Sequence, residues 1–111
     1  MATTYKILGQ KSPTTTAEES FSAVPASTNW VVSTLALTNF TGTAANITVN
    51  ICQNGAASGN ANTLIKTLSV PANTMVPVTM GITLSAGDVV RVTAGTANAL
   101  AVQLFGSEIT P

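Results

Sequence analysis

Short runs of alternating polar and apolar residues divide this chain, and clusters of Gly, Pro, Ser and Asn separate them at intervals of roughly 8–14 residues. The strictest alternation lies between Ala45 and Gln53, where Ile47, Val49 and Ile51 share one face. A two-residue period is typical of a half-buried β-strand, and helical periodicity is almost absent. The pattern predicts one all-β domain, an antiparallel β-sandwich of about seven or eight strands with jelly-roll or immunoglobulin-like topology.

The longest strand pattern extends from Trp30 to Phe40. Its more apolar face comprises Val31, Ser33, Leu35, Leu37 and Asn39. A turn at residues 41–43 leads from this strand into the next, so residues 30–52 are predicted to form a β-hairpin. Residues 24–28 and 70–74 share the pattern V-P-A-x-T, which predicts the same turn chemistry at both places.

The N-terminal part of the chain is predicted to lie at the periphery of the domain. Residues 1–18 form an extended arm or a peripheral strand, and residues 19–111 form the β-sandwich. Pro77 lies inside a later strand pattern. Because proline has no N–H to donate to a ladder, it predicts an edge strand or a bulge at that position.

The polar composition argues against catalysis. Charged residues make up only 7% of the 111 positions, four basic and four acidic, and there is no His. Cys52 is the single cysteine, and without a His partner it is interpreted as a small core residue rather than a nucleophile. Zero net charge removes self-repulsion, which favours a subunit that associates with other subunits.

The few carboxylates do not form a catalytic or metal-binding pattern. Glu18 and Glu19 are adjacent, so on a strand they point to opposite faces. Asp88 is interpreted as a turn residue that accepts backbone hydrogen bonds, and Glu108 lies near the C-terminus. The sequence therefore predicts no enzyme activity, no metal site and no cofactor.

Other classes of partner are also disfavoured. The four basic residues are scattered, whereas phosphate binding needs several cations on one face, so no nucleic-acid binding is expected. No apolar run approaches the length of a membrane span or of a signal-peptide core, so neither a membrane nor a secretory route is expected. Two glycosylation sequons, at residues 39–41 and 46–48, are interpreted as ordinary β residues.

Interaction with other proteins remains, and a small set of residues is predicted to carry it. The candidates are Tyr5, Ile7, Leu8, Trp30 and Pro77. Tyr5 is an aromatic anchor in the peripheral segment, and residues 1–20 and the strand near Pro77 are expected to meet neighbouring subunits. Trp30 is interpreted as capping the core or an interface, with an exposed sugar-binding platform as the alternative.

The first 40 residues resemble small structural proteins of tailed bacteriophages, cyanophages especially. The similarity rests on the opening YKILGQ, the Pro13-Thr run, VPA at 24–26, VVSTL at 31–35 and Asn39, with looser agreement at residues 85–88 and 105–109. It implies a virion protein assembled in the host cytoplasm, most simply a capsid decoration (cement) protein that contacts the major capsid protein or other virion proteins.

Two other classes stay open at this point. A tail, neck or fibre component would have the same composition, and a carbohydrate- or receptor-binding β-sandwich module is the other alternative. A homo-oligomer is expected, and a trimer is slightly favoured because trimers suit three-fold sites on a shell. The resemblance brings no catalytic residues with it.

Overall fold

The computed structural model describes residues 2–111 and confirms the all-β prediction, with two four-stranded antiparallel sheets packed around one core. The strands are β1 (Ala2–Lys11), β2 (Glu19–Ser20), β3 (Asn29–Asn39), β4 (Ala45–Cys52), β5 (Thr63–Val70), β6 (Thr74–Leu84), β7 (Val89–Ala94) and β8 (Leu100–Thr110). Two 3₁₀ turns, Gln53–Gly55 and Asn60–Asn62, lie between β4 and β5. Sheet A has the strand order β1-β8-β3-β6, and sheet B has the order β2-β7-β4-β5.

The strand pairing decides between the two topologies that the sequence left open. The first strand pairs with the last, the second with the seventh, the third with the sixth and the fourth with the fifth. Such pairing describes one long antiparallel double ribbon that is folded over, so that consecutive strands from β1 to β4 alternate between the sheets. This is the jelly-roll arrangement, and it differs from the ABED and CFG sheets of an immunoglobulin domain.

The predicted hairpin over residues 30–52 is wrong. Both strands exist, but β3 belongs to sheet A, where it pairs with β6 and β8, while β4 belongs to sheet B, where it pairs with β5 and β7. The turn at residues 41–43 therefore carries the chain from one sheet to the other. Alternation and a turn show that two strands follow each other, but they do not specify which strands pair.

A β-bulge at Ser33 changes which face of β3 is buried. Val32 lies opposite Gly106 of β8, but Thr34 lies opposite Phe105, so Ser33 is an extra residue. An extra residue exchanges the two faces of the strand beyond it. The predicted inner face holds for Leu35, Leu37 and Asn39, whereas on the other side of the bulge Trp30 and Val32 are buried instead of Val31 and Ser33.

The N-terminal segment forms a peripheral strand rather than an extended arm. β1 pairs with β8 from Ala2 opposite Thr110 to Lys11 opposite Val102. A bulge at Leu8 interrupts the register between Ile7 and Gly9. Residues 2–11 therefore form one of the two edge strands of sheet A.

The two V-P-A-x-T turns have the same local structure, as predicted. Ser27 and Asn73, which occupy the variable position, both have positive φ, 56° and 50°. In each turn the following threonine donates its hydroxyl to the carbonyl oxygen of the alanine two residues earlier, at 3.1 Å for Thr28 and 2.9 Å for Thr74. Shared backbone geometry and a shared side-chain bond explain the repeated sequence.

The core lies between the inner faces of the two sheets. Its largest fully buried apolar side chains are Leu35, Leu37, Ile47, Leu84, Leu100, Leu104, Val32, Val49, Val70, Val92 and Val102. Cys52 is also buried and free, in keeping with its interpretation as a small core residue. With the core filled from both sheets, function has to be sought on the outer faces, the sheet edges and the loops.

Candidate interaction surface

The carboxylates have structural partners. Asp88 accepts backbone hydrogen bonds from Asn54 (2.8 Å) and Ser85 (2.8 Å), which confirms its role in a turn. Glu18 accepts a hydrogen bond from the hydroxyl of Ser58. Among residues 2–111, no three His, Cys, Asp or Glu side chains come together in a way that would hold a metal ion.

Glu19 organises the turn that precedes β2. Its Oε2 accepts hydrogen bonds from the backbone N–H groups of Thr14 (3.1 Å) and Thr15 (3.3 Å) and from the Thr15 hydroxyl, and its Oε1 lies 3.5 Å from Lys11. Desolvation acts to raise the pKa of Glu19, but these hydrogen bonds and the Lys11 ammonium outweigh it, so the pKa lies below its usual value. This carboxylate stabilises a loop, which is a structural role.

Trp30 is a core residue and does not belong to an exposed surface of the described chain. Only 7% of its surface is exposed, so it cannot serve as an open platform for a sugar ring. Its indole Nε1–H donates to Oε2 of Glu108 at 3.0 Å, and Oε1 of Glu108 lies 3.4 Å from Lys6 Nζ. The interpretation of Trp30 as a cap on the core agrees with this position.

The outer face of sheet A is the surface that points away from sheet B. On the face toward sheet B, Leu35 lies opposite Leu104 and Leu37 lies opposite Val102, and all four side chains are buried. The positions between them therefore point outward. By this register the outer face comprises Thr3, Tyr5, Ile7 and Gln10 of β1, Ala101, Gln103, Phe105, Ser107 and Ile109 of β8, Asn29, Val31, Thr34, Ala36 and Thr38 of β3, and Met75, Pro77, Thr79 and Thr83 of β6.

No charged side chain belongs to this outer face, although the chain has four basic and four acidic residues. Lys6 lies opposite Gly106, and Glu108 lies opposite Trp30. By their register, both of these pairs belong to the other face of sheet A. Across the outer face, Gln10 Nε2 donates to Gln103 Oε1 at 2.8 Å. The face is therefore polar through amides and hydroxyls, with apolar side chains between them.

The predicted interface residues divide between this face and the core. Tyr5 is 84% exposed and Ile7 is 50% exposed, and both lie on the outer face. Pro77 lies there too, on β6, which is an edge strand as its proline predicted. Leu8 does not lie on this face, because the bulge at this residue turns its side chain into the core.

Sequence reasoning missed other members of the surface. Met75, on the same face as Pro77, is 50% exposed, and Phe105 lies opposite Ile7 in the central strand. In the alternating pattern of β8, Phe105 lies on the opposite face from the core residues Leu100 and Leu104. This pattern was the one sequence signal that Phe105 points outward. Only the pairing of β1 with β8 brings Ile7 and Phe105 side by side.

The outer face has the dimensions of a protein interface. Four strands spaced about 4.8 Å apart, each about 11 residues long at about 3.3 Å per residue, give a face of about 700 Å². A standard interface buries about 800 Å² on each partner. Most of one such interface therefore fits on sheet A.

Sheet B has a different outer surface, which is charged and partly covered by its own loop. Arg91 of β7 donates from Nη1 to Ser20 Oγ at 2.8 Å and from Nη2 to the Gly55 carbonyl at 3.1 Å. Asn50 of β4 donates to Asn62 Oδ1 at 2.9 Å, which ties the β4–β5 connection to the sheet. The outer face of sheet B thus carries charge and is partly covered by a loop, whereas the outer face of sheet A carries no charged side chain.

One concave feature of the described chain lies beside the β4–β5 connection. This depression, of about 480 Å³, is lined by side chains without a titratable group, namely Ile51, Gln53, Ala56, Ala61, Asn62, Thr63 and Leu64. Across residues 2–111, no helix has the length and apolar character needed to cross a membrane. Comparison of the chain with protein-family models, curated proteins and solved structures found no match.

Proposed function

We propose that this protein is a non-enzymatic structural component of a tailed-phage virion, a capsid decoration (cement) protein that docks on the shell through the outer face of sheet A. The observation that carries the proposal is the absence of charge from that face. Its partner is the major capsid protein or another virion protein, and its place of action is the virion.

The chemistry of the face suits burial against another protein. Burying charges costs desolvation free energy, which an ion pair does not always recover. Amide and hydroxyl groups can form hydrogen bonds across an interface without that cost, provided that each finds a partner. Tyr5, Ile7 and Met75 supply exposed apolar area between them, as the anchors of protein interfaces do.

Two further considerations support the proposal by analogy. Jelly rolls occur in viral capsid proteins, although they also occur in lectins and cupins, so the fold alone does not assign a function. The resemblance of residues 1–40 to phage structural proteins points in the same direction.

A position in the tail, neck or fibre is the alternative. The same charge-free face would serve there, and the number of copies in each virion separates the two positions. A decoration protein is present in hundreds of copies, whereas a neck or tail ring has about six or twelve, set by its rotational symmetry. Quantitative mass spectrometry of purified virions measures this number, and absence from virions would refute both positions.

Binding to virions that lack the protein tests the docking face. Met75→Lys introduces a charge into the outer face, and we expect at least about tenfold weaker binding because the charge would be buried on docking. Ser69→Lys is the matched control, since Ser69 is an exposed strand residue of sheet B. Equal loss of binding in both variants, or in neither, would refute docking through this face.

A further inference from the structure

The two sheets have four edge strands, and three of them are blunted against pairing with another chain. β2 has only two residues. β5 is distorted by two irregularities in its register with β4, and Thr67 within it has a φ of 52°. In β6, Pro77 has no N–H group, and an edge-strand proline lies with its nitrogen toward solvent. The middle of this free edge therefore lacks one hydrogen-bond donor. Short, bulged and proline-containing edges are the usual protections against edge-to-edge association.

The fourth edge, residues 2–7 of β1, has no such protection. These six residues keep an unbroken register with β8, from Ala2 opposite Thr110 to Ile7 opposite Phe105, and every one of them is exposed. Proline is absent from the segment, and the bulge begins only at Leu8. Lys6 is its one charged residue, and its ammonium lies 3.4 Å from Glu108 of the same chain. The charge that would discourage pairing is thus already compensated.

We propose that two copies of this chain pair through residues 3–7 of β1, antiparallel and related by a two-fold axis. An antiparallel edge is complementary to itself, so each copy provides the strand that the other copy lacks. The product is one continuous eight-stranded sheet, in which the two outer faces of sheet A lie side by side. This pairing does not depend on the proposed function, because it needs no virion.

The side chains favour a register centred on Tyr5. Tyr5 of one copy then lies opposite Tyr5 of the other, and Ile7 lies opposite Thr3. Both pairs belong to the outer face, so the two exposed apolar residues of β1 gain cross-strand neighbours. Lys6 lies opposite Thr4 of the second copy, whereas a register centred on Lys6 would place two like charges directly opposite each other.

The same edges favour a dimer over the trimer expected from the sequence. A cyclic trimer built through sheet edges would pair β1 with a different edge of the next copy, and β2, β5 and β6 are the blunted edges of the described sheets. The paired segment is short and buries less than a standard interface, so dimerisation should depend on concentration.

Sedimentation equilibrium of the purified full chain tests the pairing. We expect a monomer–dimer equilibrium between about 1 μM and 1 mM, the range of a small interface. Tyr5→Lys, which places two lysines opposite each other, should weaken the dimer about tenfold or more. Met75→Lys alters the same outer face at the far edge of sheet A, and the dimer should persist with an unchanged dissociation constant.

Amide hydrogen exchange provides a second readout that reports on the backbone itself. On raising the concentration, exchange should slow within residues 3–7, where N–H groups become paired between copies, and should stay unchanged in the edge strand β6. A monomer at 1 mM, a trimer, equal dissociation constants for Tyr5→Lys and the natural chain, or a dimer without protection in β1 would overturn the proposal. Virion binding is measured separately, so a failure of the docking proposal leaves this result intact.

Discussion

The indole nitrogen of Trp30 donates a 3.0 Å hydrogen bond to the carboxylate of Glu108, and these two residues lie opposite each other on the neighbouring strands β3 and β8. Glu108 also contacts Lys6 on β1, so one carboxylate connects three adjacent strands of sheet A. The hydrogen bond from Trp30, which outweighs the effect of desolvation, and the Lys6 ammonium hold the pKa of Glu108 below its usual value.

Replacing this carboxylate should change how stability depends on pH. A lowered pKa in the folded state means that Glu108 stabilises the fold above the unfolded-state value of about 4.5, and that this contribution is lost as the pH falls through the folded-state pKa. Glu108→Gln should therefore flatten the loss of stability below about pH 5, as measured by urea unfolding at a series of pH values. An unchanged slope would contradict the prediction. Glu19→Gln should act in the same direction, through its own hydrogen bonds.

Asn39 fastens the end of β3 to the crossing between the sheets. It is 1% exposed, and its Nδ2 donates to the carbonyls of Thr43 (2.8 Å) and Val70 (3.0 Å), while its Oδ1 accepts from Thr41. Asn39→Ala leaves these groups without their partner and should lower the free energy of unfolding by about 2–3 kcal/mol. Asn46→Ala, at an exposed position of β4, is the control and should change it by less than about 0.5 kcal/mol. Similar losses in the two variants would contradict this role.

Gly106 is required by the bulge at Ser33. A Cβ at position 106 would overlap the carbonyl oxygen of Val31, because the extra residue in β3 brings its backbone onto β8. Gly106→Ala should therefore lower the free energy of unfolding by about 1–3 kcal/mol or more. A Cβ at Gly42 meets no atom within 4 Å, so Gly42→Ala should be tolerated. Equal midpoints of thermal unfolding for both variants would show that the bulge adjusts freely.

Pro77→Thr should open the free edge of β6. The new N–H restores the missing donor, and threonine has a high strand propensity, so the fold should be retained. Each copy would then carry two edges that can pair, β1 and β6. Copies could then join edge to edge into an open-ended chain rather than a closed dimer. Light scattering should detect assemblies larger than a dimer at concentrations where the natural chain shows none. If Pro77→Thr keeps the oligomeric state of the natural chain, Pro77 does not protect this edge.

The sequence by itself determined where most of the strands lie. It also determined which side chains share a face wherever a strand has no bulge. Ile47 and Val49 share the buried face of β4 as predicted, because alternation follows directly from the two-residue period of a single strand. The repeated turns at residues 24–28 and 70–74 were equally local, since their geometry depends on a few neighbouring residues.

Only the tertiary structure decided which strands pair and where the alternation is interrupted. A jelly roll separates β3 from β4 although a short turn connects them, because pairing depends on contacts between residues distant in the chain. One inserted residue at Leu8 or Ser33 changes which side chains are buried, which is why Leu8 and Trp30 belong to the core. The charge-free face likewise exists only once four separate segments are brought together in register, since no single strand spans it.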